Sequence, residues 1–139
     1  MPAENEISAC RQTLKRNSML KHKIDIENLF KTGKKKNFEY LRVVYKKYTT
    51  ESEHENVRIF VSAPKKYLHH AVDRNLTKRR MREAIRKNLS DLRKTSKEKS
   101  ICIDIAFVFQ SDIIHDYSEI EQIIVLSLQK IYSEIYETN

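Results

Sequence analysis

The 139-residue sequence holds only two cysteines, Cys10 and Cys102, and no close pairing of Cys or His residues. Neither a disulfide framework nor a zinc knuckle is expected, and a reducing cytoplasmic setting fits best. The first residues, MPAENEISACRQTLKR, lack the apolar stretch of a signal peptide. No later run approaches the roughly 18 apolar residues of a membrane span. The expectation is a soluble, intracellular protein with no membrane partner. Glycine occurs once, at Gly33, and the sequence shows no internal repeat and no low-complexity linker. A chain of this length is expected to form one core, with 1–13 as a flexible polar tail and 14–139 as a single domain.

What is present is basic charge, and it is unevenly placed. Lys and Arg number 27 against 19 Asp and Glu, a net +8, which points to a polyanionic partner. Residues 11–36 carry nine basic and two acidic side chains, as do residues 74–94, whereas 101–139 sets Lys130 against seven carboxylates. The positive field is thus concentrated in two segments.

Ile24, Ile26, Leu29 and Phe30 have nearly helical spacing before Gly33, which predicts a short helix with a glycine stop. FEYLRVVY at 38–45 and VRIFVS at 57–62 are rich in aromatic and β-branched residues and predict two strands, the second closed by Pro64. From about Val72 to Leu92, Met81, Ala84, Ile85, Leu89 and Leu92 share one arc, the inner stripe of a helix. Lys97, Glu98 and Lys99 read as a polar connector. ICIDIAFVF at 101–109, interrupted only by Asp104, predicts a central strand. Ser118 and Glu121 have capping-box spacing ahead of a last helix whose stripe is Ile120, Ile123, Ile124, Leu128, Ile131 and Ile135. The predicted order is helix, strand, strand, helix, strand, helix: an α+β fold with helices on a small central sheet.

Asn75, Arg79, Arg82, Arg86 and Arg93 fall within an arc of roughly 60° beside the apolar stripe. Like charges at this spacing destabilise a helix, and Glu83 is expected to offset only Arg79 or Lys87. Guanidinium groups engage two phosphate oxygens at once, so a phosphate-bearing ligand suits the ridge better than solvent alone.

AVDRNLTKRRMREAIRKN at 71–88 closely resembles the signature of the bacterial ribonuclease P protein family, which runs approximately AVxRNxxKRxxRExxR. IDIENLFKTGK is similar to that family's first helix and terminal glycine, and FVSAPKK stands where its strand approaches the basic helix. The resemblance spans nearly everything from Leu14 to Ile135. It implies a small sheet flanked by helices, of the type of ribosomal protein S5 domain 2, with a left-handed βαβ crossover through the basic helix.

The resemblance further implies a protein component that assists a catalytic RNA in removing the 5′ leader from precursor tRNA. Arg74, Asn75, Lys78, Arg79, Arg82 and Arg86, with Lys65 and Lys66, would contact the RNA subunit. Phe30 matches one aromatic of the leader-binding cleft, Ile26 stands at its partner position, and Tyr45 is assigned to the same cleft. Ribonuclease P RNA and precursor tRNA are the implied partners, with the protein monomeric in a 1:1 ribonucleoprotein. Mg²⁺ is expected mainly on the RNA, with no catalytic or metal-binding residue in the protein. The sequence departs from the family where Ala63 and Pro64 follow Ser62 and where YLHH replaces a glycine-containing link.

Aromatics near the first helix and strand, Phe30, Phe38, Tyr40 and Tyr45, could equally be core or stack on bases. Adjacent His69 and His70 cannot chelate one ion as a helical i, i+4 pair would. The basic segments lack the clustered carboxylates of a two-metal nuclease, which disfavours a stand-alone enzyme. A ribosomal or other structural RNA- or DNA-binding module remains the alternative, because a basic helix alone does not separate the two.

Overall fold

The computed structural model describes residues 19–20, 22–49 and 56–137, and the predicted N-terminal tail lies outside them. Four helices and four strands follow one another: α1 (Lys23–Thr32), β1 (Lys34–Phe38), β2 (Leu41–Tyr48), β3 (Val57–Ser62), α2 (Ala71–Asn88), α3 (Ser90–Glu98), β4 (Cys102–Phe109) and α4 (Tyr117–Glu137). The strands form one sheet in the order β1-β2-β4-β3. β1 with β2 and β2 with β4 are antiparallel, whereas β3 and β4 are parallel neighbours joined through α2 and α3. The α+β architecture, the central position of β4 and the crossover through the basic helix agree with the sequence.

Strand alternation sends two different sets of side chains to the two faces of the sheet. Leu41, Val43 and Tyr45 from β2, Val57, Ile59 and Val61 from β3, and Ile103, Ile105, Phe107 and Phe109 from β4 meet Met81, Ala84, Ile85, Leu89 and Leu92. The α4 stripe from Ile120 to Ile135 completes this main core. The opposite face carries a smaller cluster, Leu29 of α1 with Leu20, Val44 and Ala106, against which Ile26, Phe30 and Phe60 pack. Leu20 also donates its N–H to Ile59 O at 2.8 Å, along the edge of β3.

Four expectations are corrected. The single run at 38–45 is a hairpin: β1 covers the polar sequence KKKNF, and the chain turns at Glu39, whose φ of 46° is left-handed. As an edge strand bonded on one side, β1 carries no apolar alternation that could reveal it. The glycine stop, by contrast, stands as expected: Gly33 is the C-cap of α1, at φ −75°. A Cβ there would lie 2.6 Å from Leu29 O and 2.8 Å from Val44 Cγ1, so close approach is what requires glycine.

The predicted long helix breaks at Leu89, and residues 97 and 98 belong to α3 rather than to a connector. At the break the Asn88 amide donates back to Ala84 O at 2.7 Å, competing locally with the helix ladder. The capping box of α4 sits two residues earlier than predicted. Asp116 Oδ1 accepts from the Glu119 N–H at 2.9 Å, and Glu119 Oε1 accepts from the Asp116 N–H at 3.2 Å.

Candidate nucleic-acid interface

Thr77, Met81, Ala84 and Ile85 turn one side of α2 into the core, leaving its basic residues on the rest of the surface. Asn75, Arg79 and Arg82 are exposed, while Arg74, Lys78 and Arg86 are half-buried. The predicted ridge is therefore real along α2, with two residues diverted. Arg86 pairs with Glu83, whose carboxyl is held below the ordinary range by that hydrogen bond. This corrects the expectation that Glu83 would offset Arg79 or Lys87. Arg93 is separated from the ridge by the break and lies half-buried on α3.

Arg74 has a local task as well. Its Nη1 donates to Leu68 O at 3.0 Å and to His69 O at 2.8 Å, tying the start of α2 to the preceding loop. That loop begins as a turn in which Pro64 O accepts from the Tyr67 and Leu68 N–H groups at 3.1 and 3.3 Å. Lys65 and Lys66 are exposed on it, Lys66 Nζ lying 5.4 Å from the centre of the Tyr67 ring. Pro64 and the carbonyl clamp of Arg74 thus replace the missing glycine link, and hold two lysines beside the helix entrance. His69 and His70 are exposed there, with His70 at the N-cap of α2.

A second feature lies on the opposite face of the sheet, beneath α1. A cleft of about 560 Å³ is lined by His22, Asp25, Asn28 and Leu29 on one side and by Lys46, Tyr48, Arg58 and Asp104 on the sheet. Arg58 is its centre. Its Nε and Nη2 reach the two oxygens of Asp104 at 2.9 Å each, Nη2 also donates to Tyr48 Oη at 3.0 Å, and Nη1 lies 3.5 Å from Asp25 Oδ2. Burial opposes the charge on Arg58, but the carboxylate of Asp104 more than offsets it and raises the pKa. The Tyr48 phenol is also pushed up, first by burial and then by Asp104.

Phe30 packs edge-on against Phe60, their ring centres 6.2 Å apart, and Ile26 joins the same cluster. The structure does not bring Tyr45 to this place. It is 3% exposed and belongs to the main core on the other face, because odd positions of β2 point toward α4. Phe60 of β3 is the aromatic that accompanies Phe30. Sequence reasoning also missed Arg58, Asp104 and Tyr48. The signal was Asp104 itself, a lone carboxylate in the most apolar run, which demands a buried partner.

Among the described residues no group of three or more His, Cys, Asp or Glu side chains could hold a metal ion, and no helix is long and apolar enough to cross a membrane. The arrangement offers a fixed basic ridge on one side of the sheet, and a polar cleft and a partly buried aromatic pair on the other.

Residues 14–131 match the family model described as Ribonuclease P. The chain belongs to the ribonuclease P protein family. The ribonuclease P protein components of two Porphyromonas gingivalis strains are each 35% identical over 113 residues, 80% of this chain and of theirs. Two solved structures share the fold. A Staphylococcus aureus RNase P protein mutant gives a TM-score of 0.61 at 22% identity, over 84% of this chain and 92% of its own. The Thermotoga maritima RNase P protein gives 0.61 at 22% identity, over 81% and 96%. As a ribonuclease P protein component the chain has an RNA partner and serves tRNA 5′-leader processing. Membership of this family separates it from the ribosomal and DNA-binding alternatives.

Proposed function

We propose that this protein binds ribonuclease P RNA one to one through the α2 ridge and holds the precursor tRNA leader in the cleft beneath α1, in the cytoplasm. Phosphodiester hydrolysis then takes place on the RNA partner, which also binds the Mg²⁺. The observation that carries this reading is the exposed row Asn75, Arg79 and Arg82 beside Lys65 and Lys66, on a segment that keeps the family's order of residues.

The protein's own contribution is electrostatic and positional. Arg79 and Arg82, which have no ion-pair partner among the described residues, present bidentate donors to phosphates, whereas Arg86 would exchange Glu83 for RNA. Phe30 and Phe60, partly buried on the same face of the sheet, supply aromatic surface for unpaired bases, and Lys46 supplies positive charge in the cleft, where Arg58 is already matched by Asp104. The two carboxylates that line the cleft, Asp25 and Asp104, both face Arg58 and are unsuited to activating water there. A donor set of this kind supports placing Mg²⁺ on the RNA.

The test is to add the purified protein to ribonuclease P RNA and a precursor tRNA at low Mg²⁺ and follow cleavage at the mature 5′ end. Stimulation by the complete mixture, with no cleavage by protein alone, is the expected result. Cleavage by the protein without RNA would overturn the division of labour.

A further inference from the structure

The helix α1 covers only the middle of its side of the sheet. Leu29 rests on Val44 and Ala106, which are register partners, and the same row continues to Phe60 on β3 and to Lys35 on β1. On one flank of α1 lies the row Lys46, Asp104 and Arg58, the floor of the polar cleft. On the other flank lies the row Asn37, Arg42, Val108 and Ser62, which crosses all four strands. Four strand residues separate Lys46 from Arg42, roughly 13 Å, enough for a helix about 10 Å across to lie between the two rows. In the second row Asn37 is exposed and the other three are half-buried, so no described element closes over it.

Arg42 is the unusual member of that row. It makes no hydrogen bond and no ion pair among the described residues. Its Nε is buried without an acceptor, whereas Nη1 and Nη2, equally without partners, keep accessible surface. The guanidinium is thus seated on the sheet with its outer fork open, unlike that of Arg58, which Asp104 fills. An apolar side chain would pack there without leaving a buried donor unpaired, so the fork signals an acceptor from outside the chain. This row and the one beside it, from Lys35 to Phe60, contain no carboxylate, and Lys35 is exposed and forms no ion pair among the described residues. The neighbouring row also carries Phe60, which meets the Phe30 ring edge-on at 6.2 Å. A guanidinium fork beside aromatic surface suits a single nucleic-acid strand, which offers phosphates and unpaired bases together, better than a duplex, whose bases are hidden.

We propose that this flank is a second subsite for the single-stranded 5′ leader, in which Arg42 and Lys35 take phosphates and the Phe30–Phe60 pair takes a base. The proposal rests on the reading that the leader is held on this face of the sheet, and goes beyond it by giving the strand a footing on both sides of α1. A leader long enough to reach both flanks gains contacts that a short one lacks, so its affinity depends on leader length through Arg42.

Two measurements on the full chain test this. In the first, the complex with ribonuclease P RNA is titrated with mature tRNA and with precursors whose leaders increase in length. The parent protein is compared with Arg42→Gln, Arg42→Lys, Phe30→Ala, Lys46→Gln and Lys130→Gln, the last an exposed control on α4. Arg42→Gln is expected to weaken binding of the long-leader precursor about tenfold, the loss of one charge-assisted hydrogen bond, and to leave mature tRNA at the parental affinity. Arg42→Lys keeps the charge without the fork and should lose less. Arg42 has no partner to lose in the folded chain, so neither variant should lower the unfolding midpoint. In the second measurement a short single-stranded RNA oligonucleotide is added to the protein alone while the Arg42 Nε–H resonance is followed by NMR. A saturable shift is expected, beyond any that salt of equal ionic strength produces.

Parental affinity in Arg42→Gln at every leader length overturns the subsite. A loss of affinity without the Nε–H shift overturns it as well, because Arg42 would then act only through the fold. Phe30→Ala and Lys46→Gln keep these results apart from a failure of the leader reading itself. If they lose leader-dependent affinity and Arg42→Gln does not, the subsite alone fails. If none of the three loses it, the leader is not held on this face at all.

Discussion

Gly33 and Arg58 show how single residues position the cleft. A methyl group at Gly33 would press on the last turn of α1 and on Val44, the residue against which α1 packs. Gly33→Ala is therefore expected to cost about 1–3 kcal/mol by overpacking, read from denaturant unfolding. The Arg58–Asp104 pair is nearly buried, with side-chain exposures of 13% and 9%. Removing the carboxylate strands the guanidinium, so Asp104→Ala should destabilise by about 3 kcal/mol in the same measurement, while a joint replacement by apolar residues costs far less. Phe30→Ala removes one ring of the partly buried aromatic pair, and should weaken binding of leader-bearing precursor by about 1–3 kcal/mol while leaving mature tRNA unaffected. Equal weakening for both ligands would remove Phe30 from the leader cleft. Of these residues Gly33 and Phe30 were legible as sequence, the first as a helix stop and the second through family resemblance. Arg58 was not, because its partners Tyr48, Asp104 and Asp25 come from three other elements.

Elements are decided at their ends as much as along their faces. The apolar stripes of α2 and α4 were readable because the helical period repeats over many residues, whereas the boundaries depended on individual side chains. Asp116 and Glu119 outcompete Ser118 and Glu121 as the capping box because Tyr117 is already helical. Asp116→Ala should accordingly cost about 0.5–2 kcal/mol and Ser118→Ala much less, by thermal or denaturant melting. The loop before α4 is also tied to the sheet: the Tyr40 ring stacks on His115 at 3.8 Å, and its hydroxyl donates to Glu119 O at 3.0 Å. Burial, reinforced by the Glu119 charge, pushes the Tyr40 phenol from 10.0 to about 12. The folded state thus holds this proton more tightly than the unfolded state. Its contribution to stability is complete below pH 10 and is lost as the pH climbs toward about 12. Late phenolate appearance in an ultraviolet titration, and a smaller alkaline loss of stability in Tyr40→Phe, are the expected results.

On the scale of the whole molecule the sheet is a partition, with the α2 ridge on one side and the α1 cleft on the other. That separation allows the two surfaces to be perturbed independently. Arg79→Ala/Arg82→Ala should weaken assembly with RNA and make its salt slope shallower by about 0.7–0.9 for each phosphate left unneutralised. Leader discrimination measured at saturating RNA should remain. An unchanged slope would exclude these arginines from the interface. The sequence by itself determined the family, the basic helix, the central strand and the α+β class, because each is written in local order or period. The order DRNLTKRRMRE needs no tertiary partner to be read, and ICIDIAFVF declares a strand covered on both faces. Only the tertiary structure decided which face each strand residue takes, and a one-residue alternation is enough to move Tyr45 from the leader cleft to the α4 core. It also divided the arginines into exposed Arg79 and Arg82, clamped Arg74 and paired Arg86. Charge and period are properties of the chain, whereas burial and pairing depend on which distant groups the fold brings within a few ångströms.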